Sequence, residues 1–352
     1  MSKTDLKNLT RLQLHDYVRD FGLSSFRGQQ IFSWLYRPGV STFTEMTDLS
    51  KELRATLDDQ ALISYLHPEK LERSEDGTLK FAFRLDDGAV IESVLIPEED
   101  RNTLCVSSQV GCAMGCRFCL TGTMGLKRNL TPAEIVNQIC AVIDYLTKND
   151  PTDQDHHAKG RVSNLVFMGM GEPLANFENL LTSLEIIMDQ RGLDFSARRV
   201  TVSTCGLVPR MHDLGEKAPV NLAVSLHSVN DQIRDQLMPI NKKYPVEVLL
   251  EACRSYPMPQ RKMIMFEYIL IKGVNDSDQD ARQLAARLKD IRCKINLLPM
   301  NSCPGLPYER PAMARIEAFQ QILWKAGYSV FIRFSRGSDI SAACGQLAGK
   351  MS

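Results

Sequence analysis

Leu104-Cys105-Val106-Ser107-Ser108-Gln109-Val110-Gly111-Cys112-Ala113-Met114-Gly115-Cys116-Arg117-Phe118-Cys119, residues 104–119, runs from a strand-like segment straight into three closely spaced cysteines. Cys116 and Cys119 make a chelating pair, and Cys112 adds a third thiolate four residues earlier. Thiolates so spaced hold three corners of an iron–sulfur cube and leave the fourth iron without a protein ligand. An open metal position implies chemistry instead of scaffolding. Phe118 would bring an aromatic ring beside the open iron, and Gly111 and Gly115 let the backbone wrap around it. A zinc knuckle with its fourth ligand elsewhere, or three unconnected core thiols, are the competing readings.

Working outward, strand-like runs recur at 104–107, 164–168, 199–204, 220–226, 264–271, 294–299 and 329–334, with amphipathic stretches between most of them. The clearest helix start is Thr131-Pro132, where Glu134 completes a capping box. This alternation predicts an α/β fold with parallel strands. About six βα units are too few for an eight-fold barrel, so the expectation is a partial (β/α)6 barrel.

The barrel is assigned to 103–352, with a C-terminal loop carrying Cys344. Before it, 66–102 reads as a β-hairpin extension or linker, with strands at 80–85 and 90–96 around Asp86-Asp87-Gly88. Residues 1–65 read as helical, at 5–21 and 25–36, with Phe26, Ile31, Trp34 and Leu35 on one face and Ser25 as N-cap. An exposed loop is expected at 148–161, its His156 and His157 solvated and not ligands.

Composition sets the class. A chain of 352 residues with 44% hydrophobic and 24% charged residues is an ordinary globular protein. No apolar run approaches the roughly 18 residues a membrane span needs, and Met1-Ser2-Lys3-Thr4-Asp5 has no signal-like apolar core. Ten cysteines without a secretory signal point to reduced thiols in the cytosol, so a cytoplasmic location is expected and no membrane partner. The 42 basic and 42 acidic residues cancel, so any RNA affinity must come from local patches. Arg27, Arg198, Arg199 and Lys242 are the phosphate-contact candidates.

In α/β barrels chemistry gathers at the carboxyl ends of the strands. The cysteine run follows the first strand, Met168-Gly169-Met170-Gly171-Glu172-Pro173 the second and Asn301 the sixth. Ser203 ends the third strand, and Ser225-Leu226-His227 the fourth. The glycines allow close backbone approach, and Glu172 suits a cationic amine. Ser203, Ser225 and Asn301 suit ribose and carboxylate oxygens. His227 either donates a hydrogen bond or is a satisfied core residue.

The cysteine run resembles the radical S-adenosylmethionine superfamily, in which the open iron binds the amino and carboxylate groups of that cofactor. Met-Gly-Met-Gly-Glu-Pro, Ser-Leu-His, Met238-Pro239-Ile240-Asn241-Lys242-Lys243-Tyr244 and Ala343-Cys344-Gly345-Gln346-Leu347 narrow the resemblance. Together they look like the radical S-adenosylmethionine adenine methyltransferases of bacterial RNA. That family methylates carbon 2 of one adenine in 23S ribosomal RNA, and some members also an adenine in transfer RNA.

The resemblance implies a [4Fe-4S] cluster on Cys112, Cys116 and Cys119 and two S-adenosylmethionine molecules per turnover. Phe118, Gly171, Glu172, Ser203, Ser225, Leu226, His227 and Asn301 would line the cofactor. Cys344 would accept a methyl group, lose one of its hydrogens to a 5′-deoxyadenosyl radical, and add the resulting methylene to the base. Cys105 would then form a disulfide with Cys344 to release the product, and Glu92 would take the base's proton. Such a detour suits carbon 2 of adenine, which is electron-poor and cannot attack a sulfonium methyl. The resemblance extends to the N-terminal region as an RNA-binding accessory domain, to an electron donor such as a flavodoxin, and to a monomer.

Two alternatives stay open at this point: methylation at carbon 8 of the adenine, and a zinc-stabilised RNA-binding factor. Cys140, Cys205, Cys253, Cys293 and Cys303 are expected in the core.

Overall fold

The seven strand-like runs become seven parallel strands in the computed structural model, which describes residues 3–149, 161–259, 261–301 and 305–349. Of the loop expected at 148–161, Lys148 is helical, and 150–160 with both histidines lie outside the described residues.

The N-terminal part carries β1 (Thr4–Asp5), α1 (Arg11–Arg19), α2 (Ser25–Leu35) and α3 (Lys51–Gln60), and β2 (Ala61–Leu62) pairs in parallel with β1. The single helix expected over 5–21 is broken. Leu9 is extended, and Thr10 caps anew by exchanging bonds with Gln13 at 2.9 and 3.3 Å. The cap of α2 is Ser24, not Ser25, because Ser24 holds the extended conformation. The sequence reading had no α3. Leu57 is its one buried residue, so it shows almost no apolar period.

Next, β3 (Pro68–Arg73), β4 (Leu79–Arg84), β5 (Val90–Glu98) and β6 (Arg101–Cys105) run antiparallel in turn. The expected hairpin holds, with Arg84 opposite Val90, and its strands continue the barrel sheet. A small separate hairpin, β7 (Gln109–Cys112) and β8 (Gly125–Asn129), carries α4 (Leu120–Thr123) at its tip.

The barrel then winds through α5 (Pro132–Asn149), β9 (Val162–Phe167), α6 (Phe177–Met188), β10 (Val200–Thr204), α7 (Val208–Lys217) and β11 (Asn221–Ser225). It continues with α8 (Asp231–Leu237), α9 (Val246–Arg254), β12 (Ile264–Leu270), α10 (Asp278–Arg287), β13 (Cys293–Pro299), α11 (Met313–Lys325) and β14 (Val330–Ile332). The sheet has ten strands in the order β14-β13-β12-β11-β10-β9-β6-β5-β4-β3. Six strand–helix units precede β14, the expected (β/α)6 count.

Register assigns each side chain to a face. Phe167, Val202, Leu222, Val224, Phe266 and Ile295 form aligned, fully buried positions facing the helices. Their neighbours one residue away, among them Ser203, Ser225, Glu267 and Asn296, face the barrel lumen, as does Cys105, which registers with Val166 beside Phe167. Strands of a parallel sheet are usually apolar on both faces. A polar lumen face therefore marks the site.

The N-terminal part docks through specific polar bonds. Lys7 Nζ donates to Asn137 at 2.8 Å, Ala133 N to Asn8 at 2.9 Å, and Arg11 pairs with Asp189 at 2.7 Å. Thr131 and Glu134 form the expected cap of α5, at 2.9 and 3.2 Å. No helix among the described residues is long and apolar enough to cross a membrane.

Candidate active site

The cysteine loop is built by its glycines. Gly111 has φ +75, and a Cβ there would lie 1.9 Å from the Gly125 carbonyl oxygen, so the hairpin crossing admits no other residue. Gly122 packs on Cys116, where a Cβ would meet the carbonyl oxygen at 2.9 Å. Cys119 N donates to Cys116 O at 3.2 Å, and Arg117 N to Leu237 O at 2.9 Å, fixing the loop to α8. Leu237, Met238, Ile269, Ile271 and Met300 form an apolar cluster around Cys116.

Cys112, Cys116 and Cys119 are free thiols in this setting. Burial pushes Cys112 up to about 12 and also raises Cys116 and Cys119, with the neighbouring thiols adding to the first two. Only a bound cation would make thiolates of them at neutral pH. Among the described residues no three Cys, His, Asp or Glu side chains converge on a single ion, whereas a cube takes each thiolate at a different iron. Three sulfur donors on a tight loop in apolar surroundings fit that group.

Phe118 stands edge-on to His227, with centroids 4.8 Å apart. His227 has φ +59, held because Asn275 Nδ2 donates to its carbonyl at 2.7 Å. Its Nδ1 accepts from Ile269 N at 3.1 Å, which leaves the proton on Nε2, so the ring can donate one hydrogen bond. Burial, with Arg234 adding, pushes its pKa down to about 3. The unfolded chain takes up that proton near pH 6.5, so stability falls as pH drops below that value. Urea denaturation of the wild type should lose about 3 kcal/mol between pH 7 and pH 4 through this group, a loss His227→Gln should lack.

Gly169 and Gly171 are required by close packing of the chain itself. Cβ atoms there would meet Val106 O at 2.7 Å and Gln109 Cβ at 2.5 Å. Glu172 is 3% exposed and accepts from Leu174 N at 3.0 Å and Cys205 N at 2.8 Å. Burial raises its pKa, while bonds from Cys205 and Thr204 oppose the rise. Ser203, Ser225 and Asn301 are partly accessible at the rim, and Leu226 is buried.

Arg234, in α8, was not singled out in the sequence. It is 1% exposed and donates to Leu226 O (3.0 Å), Asn241 Oδ1 (2.8 Å), Cys205 O (2.8 Å) and Ser225 O (3.2 Å). It thus ties together the ends of β10 and β11. Arg234→Ala leaves these acceptors unpaired and should cost about 3 kcal/mol or more in urea unfolding, with Lys unable to replace the planar fork.

Cys344 lies on a strap that crosses the cysteine loop. Leu120 N donates to Gly345 O at 2.8 Å, Thr121 Oγ1 to Leu347 O at 2.6 Å, and Asn301 Nδ2 to Cys344 O at 3.1 Å. Ala348 N and Gly349 N both donate to Glu92 Oε2 at 2.8 Å, and Lys80 lies 3.7 Å from that carboxylate. Cys344 is reached by solvent yet enclosed by the barrel mouth. Burial raises it to about 11, with Glu267 and Cys119 adding. Cys105 is buried and raised, and the nearby charge of Cys344 contributes. The structure thus gathers Cys105, Cys119, Cys344 and Glu267 at one end of the lumen.

The remaining candidates divide. Arg198 and Arg199 precede β10, at the end of the barrel opposite the rim, while Lys242 follows α8 in the turn whose Pro239 packs near Gly115 of the cysteine loop. Arg27 bonds Gln30 within α2. Cys140, Cys205, Cys253 and Cys293 are buried as expected, and Cys303 lies outside the described residues.

Residues 4–63 match the ribosomal RNA large subunit methyltransferase N-terminal domain, and residues 106–285 match the radical SAM superfamily. The chain is 60% identical to the dual-specificity RNA methyltransferase RlmN of Desulfotalea psychrophila, covering 98% of this chain and 95% of that one. It is 54% identical to that of Geobacter sulfurreducens, over 99% and 92%. A crystal structure of a radical SAM methyltransferase from Sphaerobacter thermophilus superposes with a TM-score of 0.91 at 44% identity, covering 99% of this chain and all of that one.

Proposed function

The chain belongs to the RlmN family of dual-specificity radical S-adenosylmethionine RNA methyltransferases, and from that premise we propose how its residues divide the work. The enzyme methylates carbon 2 of an adenine in 23S ribosomal RNA and in transfer RNA through an S-methylcysteine. It uses a [4Fe-4S] cluster and S-adenosylmethionine. When bound, the cluster supplies the electron that cleaves S-adenosylmethionine to a 5′-deoxyadenosyl radical.

Cys112, Cys116 and Cys119 hold the cluster. Phe118, Gly171, Glu172, Ser203, Ser225, Leu226, His227 and Asn301 line the cofactor. His227 stays neutral and offers its Nε2 proton. Glu172 accepts the cofactor's amine, for which the Cys205 thiol, its weakest donor, gives way. Cys344 takes the methyl group on sulfur. After one methyl hydrogen is removed, the Cys344 methylene bonds to carbon 2. Glu92 accepts the carbon-2 proton. Cys105 then attacks the Cys344 sulfur, forming a disulfide. The electron pair of the breaking sulfur–carbon bond passes to the base-bound methylene, which takes up a proton to become the methyl group. The unpaired electron left by hydrogen removal is given back to the one-electron donor.

The observation that carries this reading is the strap: Leu120 and Thr121, directly after the third cysteine, hydrogen-bond the residues on either side of Gln346 and so place Cys344 over the cysteine loop. Residues 1–65 act as the RNA-binding accessory domain, 66–102 as an extension of the sheet, and 103–352 as the catalytic core. The protein works as a cytoplasmic monomer supplied by an electron donor such as a flavodoxin.

Neither carbon-8 methylation nor a zinc-stabilised RNA-binding role is favoured by the relatives. Nucleoside mass spectrometry of RNA treated with the reconstituted enzyme tests the assignment: 2-methyladenosine is expected, and 8-methyladenosine or unmodified RNA would refute it.

A further inference from the structure

The lumen carries a row that continues past Ser225 into residues no role above explains. Ser225, Glu267, Asn296 and Phe331 are registered partners across β11, β12, β13 and β14. Registered residues of parallel strands project to the same face. Their chain neighbours Phe266, Tyr268, Ile295, Leu297 and Val330 are buried against the helices, so the row faces the lumen.

Glu267 and Asn296 are each 5% exposed, and Asn296 Nδ2 donates to Glu267 Oε1 at 2.9 Å. That bond and a contact with Met265 Sδ at 2.9 Å use the amide's donor side. Asn296 Oδ1 has no hydrogen-bond partner. A buried acceptor left unpaired is costly, and a bound donor would recover that cost. Phe331, next in the row, is 47% exposed, and the Arg333 guanidinium lies 5.6 Å from its centroid. An orphan acceptor, a carboxyl and an open aromatic face in one row match the demands of a purine base.

We propose that Asn296, Glu267 and Phe331 form the subsite for the target adenine: Phe331 stacks on the ring, Asn296 Oδ1 accepts from the 6-amino group, and the Glu267 carboxyl hydrogen-bonds N1. The subsite rests on the RNA reading above and places the base beside Cys344, whose thiol feels the charge of Glu267. Burial raises Glu267 to about 7, against the pull of Asn296, Arg333 and Lys294, so the protonated form is available as a donor at neutral pH. A proton donor at N1 draws electron density from the adjacent carbon 2 and eases addition there. Guanine would set its O6 against Asn296 Oδ1, two acceptors face to face, and be rejected.

The adenine of S-adenosylmethionine presents the same edge, so the test has two arms. Holoenzyme is titrated with a stem-loop RNA that it methylates, carrying either adenine or purine, which lacks the 6-amino group, at the target position. Wild type should bind the adenine RNA about tenfold more tightly, and Asn296→Ala should lose that preference. Phe331→Ala, at an exposed position that leaves folding intact, should weaken both RNAs alike by about tenfold or more, with Phe331→Tyr restoring them. Affinity for S-adenosylmethionine should not change in either variant. An undiminished preference in Asn296→Ala, or a loss of S-adenosylmethionine affinity in place of RNA affinity, overturns the proposal. Failure of the family reading looks different: wild type itself would then make no 2-methyladenosine.

Discussion

Cys344→Ala should make no methylated RNA while retaining its full iron content. The strap that carries this residue is held by backbone groups of Cys344, Gly345, Leu347, Ala348 and Gly349. None of those bonds uses the sulfur, so alanine leaves the strap and the cysteine loop in place and removes only the proposed methyl acceptor. Iron analysis, together with nucleoside mass spectrometry, checks both halves. Methylation surviving the substitution would remove Cys344 from the reaction.

The second large effect is of the opposite kind. Cys105→Ala should leave methyl loading of Cys344 intact and block release, so that protein covalently joined to RNA accumulates. Cys105 faces the lumen from β6 and lies near enough to Cys344 for the two charges to interact. It is buried, and its thiol is raised by that burial, so it is a poor nucleophile until the site is occupied. A denaturing gel should show a slow band that nuclease removes. A fully active variant that releases its RNA freely would contradict the resolving role.

Much of this was legible in the sequence because the signals were local. Cysteine spacing marked the loop proposed to hold the cluster, and seven apolar runs marked the parallel sheet. Thr131, Pro132 and Glu134 announced α5 within four residues. What stayed hidden depends on contacts distant in sequence. Gly111 matters because of Gly125, and Gly171 because of Gln109.

Arg234 gave no local signal, because its role comes from α8 placing it under two strand ends. Glu267 and Asn296 did leave a trace, a carboxylate inside Met263-Ile264-Met265-Phe266-Glu267-Tyr268-Ile269 and an amide inside Lys294-Ile295-Asn296-Leu297. Polar groups inside apolar strands are costly to bury without partners, and that cost should have marked them as part of the site. The third N-terminal helix was missed for the converse reason. Its surface is almost wholly polar, and it is held by Ser50, which accepts from Leu53 N at 3.2 Å.

The isotope content of the product methyl group tests the central claim most directly. If the methyl group passes through Cys344 and loses one hydrogen there, RNA methylated with trideuteromethyl S-adenosylmethionine should contain 2-methyladenosine with two deuterium atoms, the third appearing in 5′-deoxyadenosine. A product methyl group that keeps all three would mean direct transfer to the base and would contradict the account.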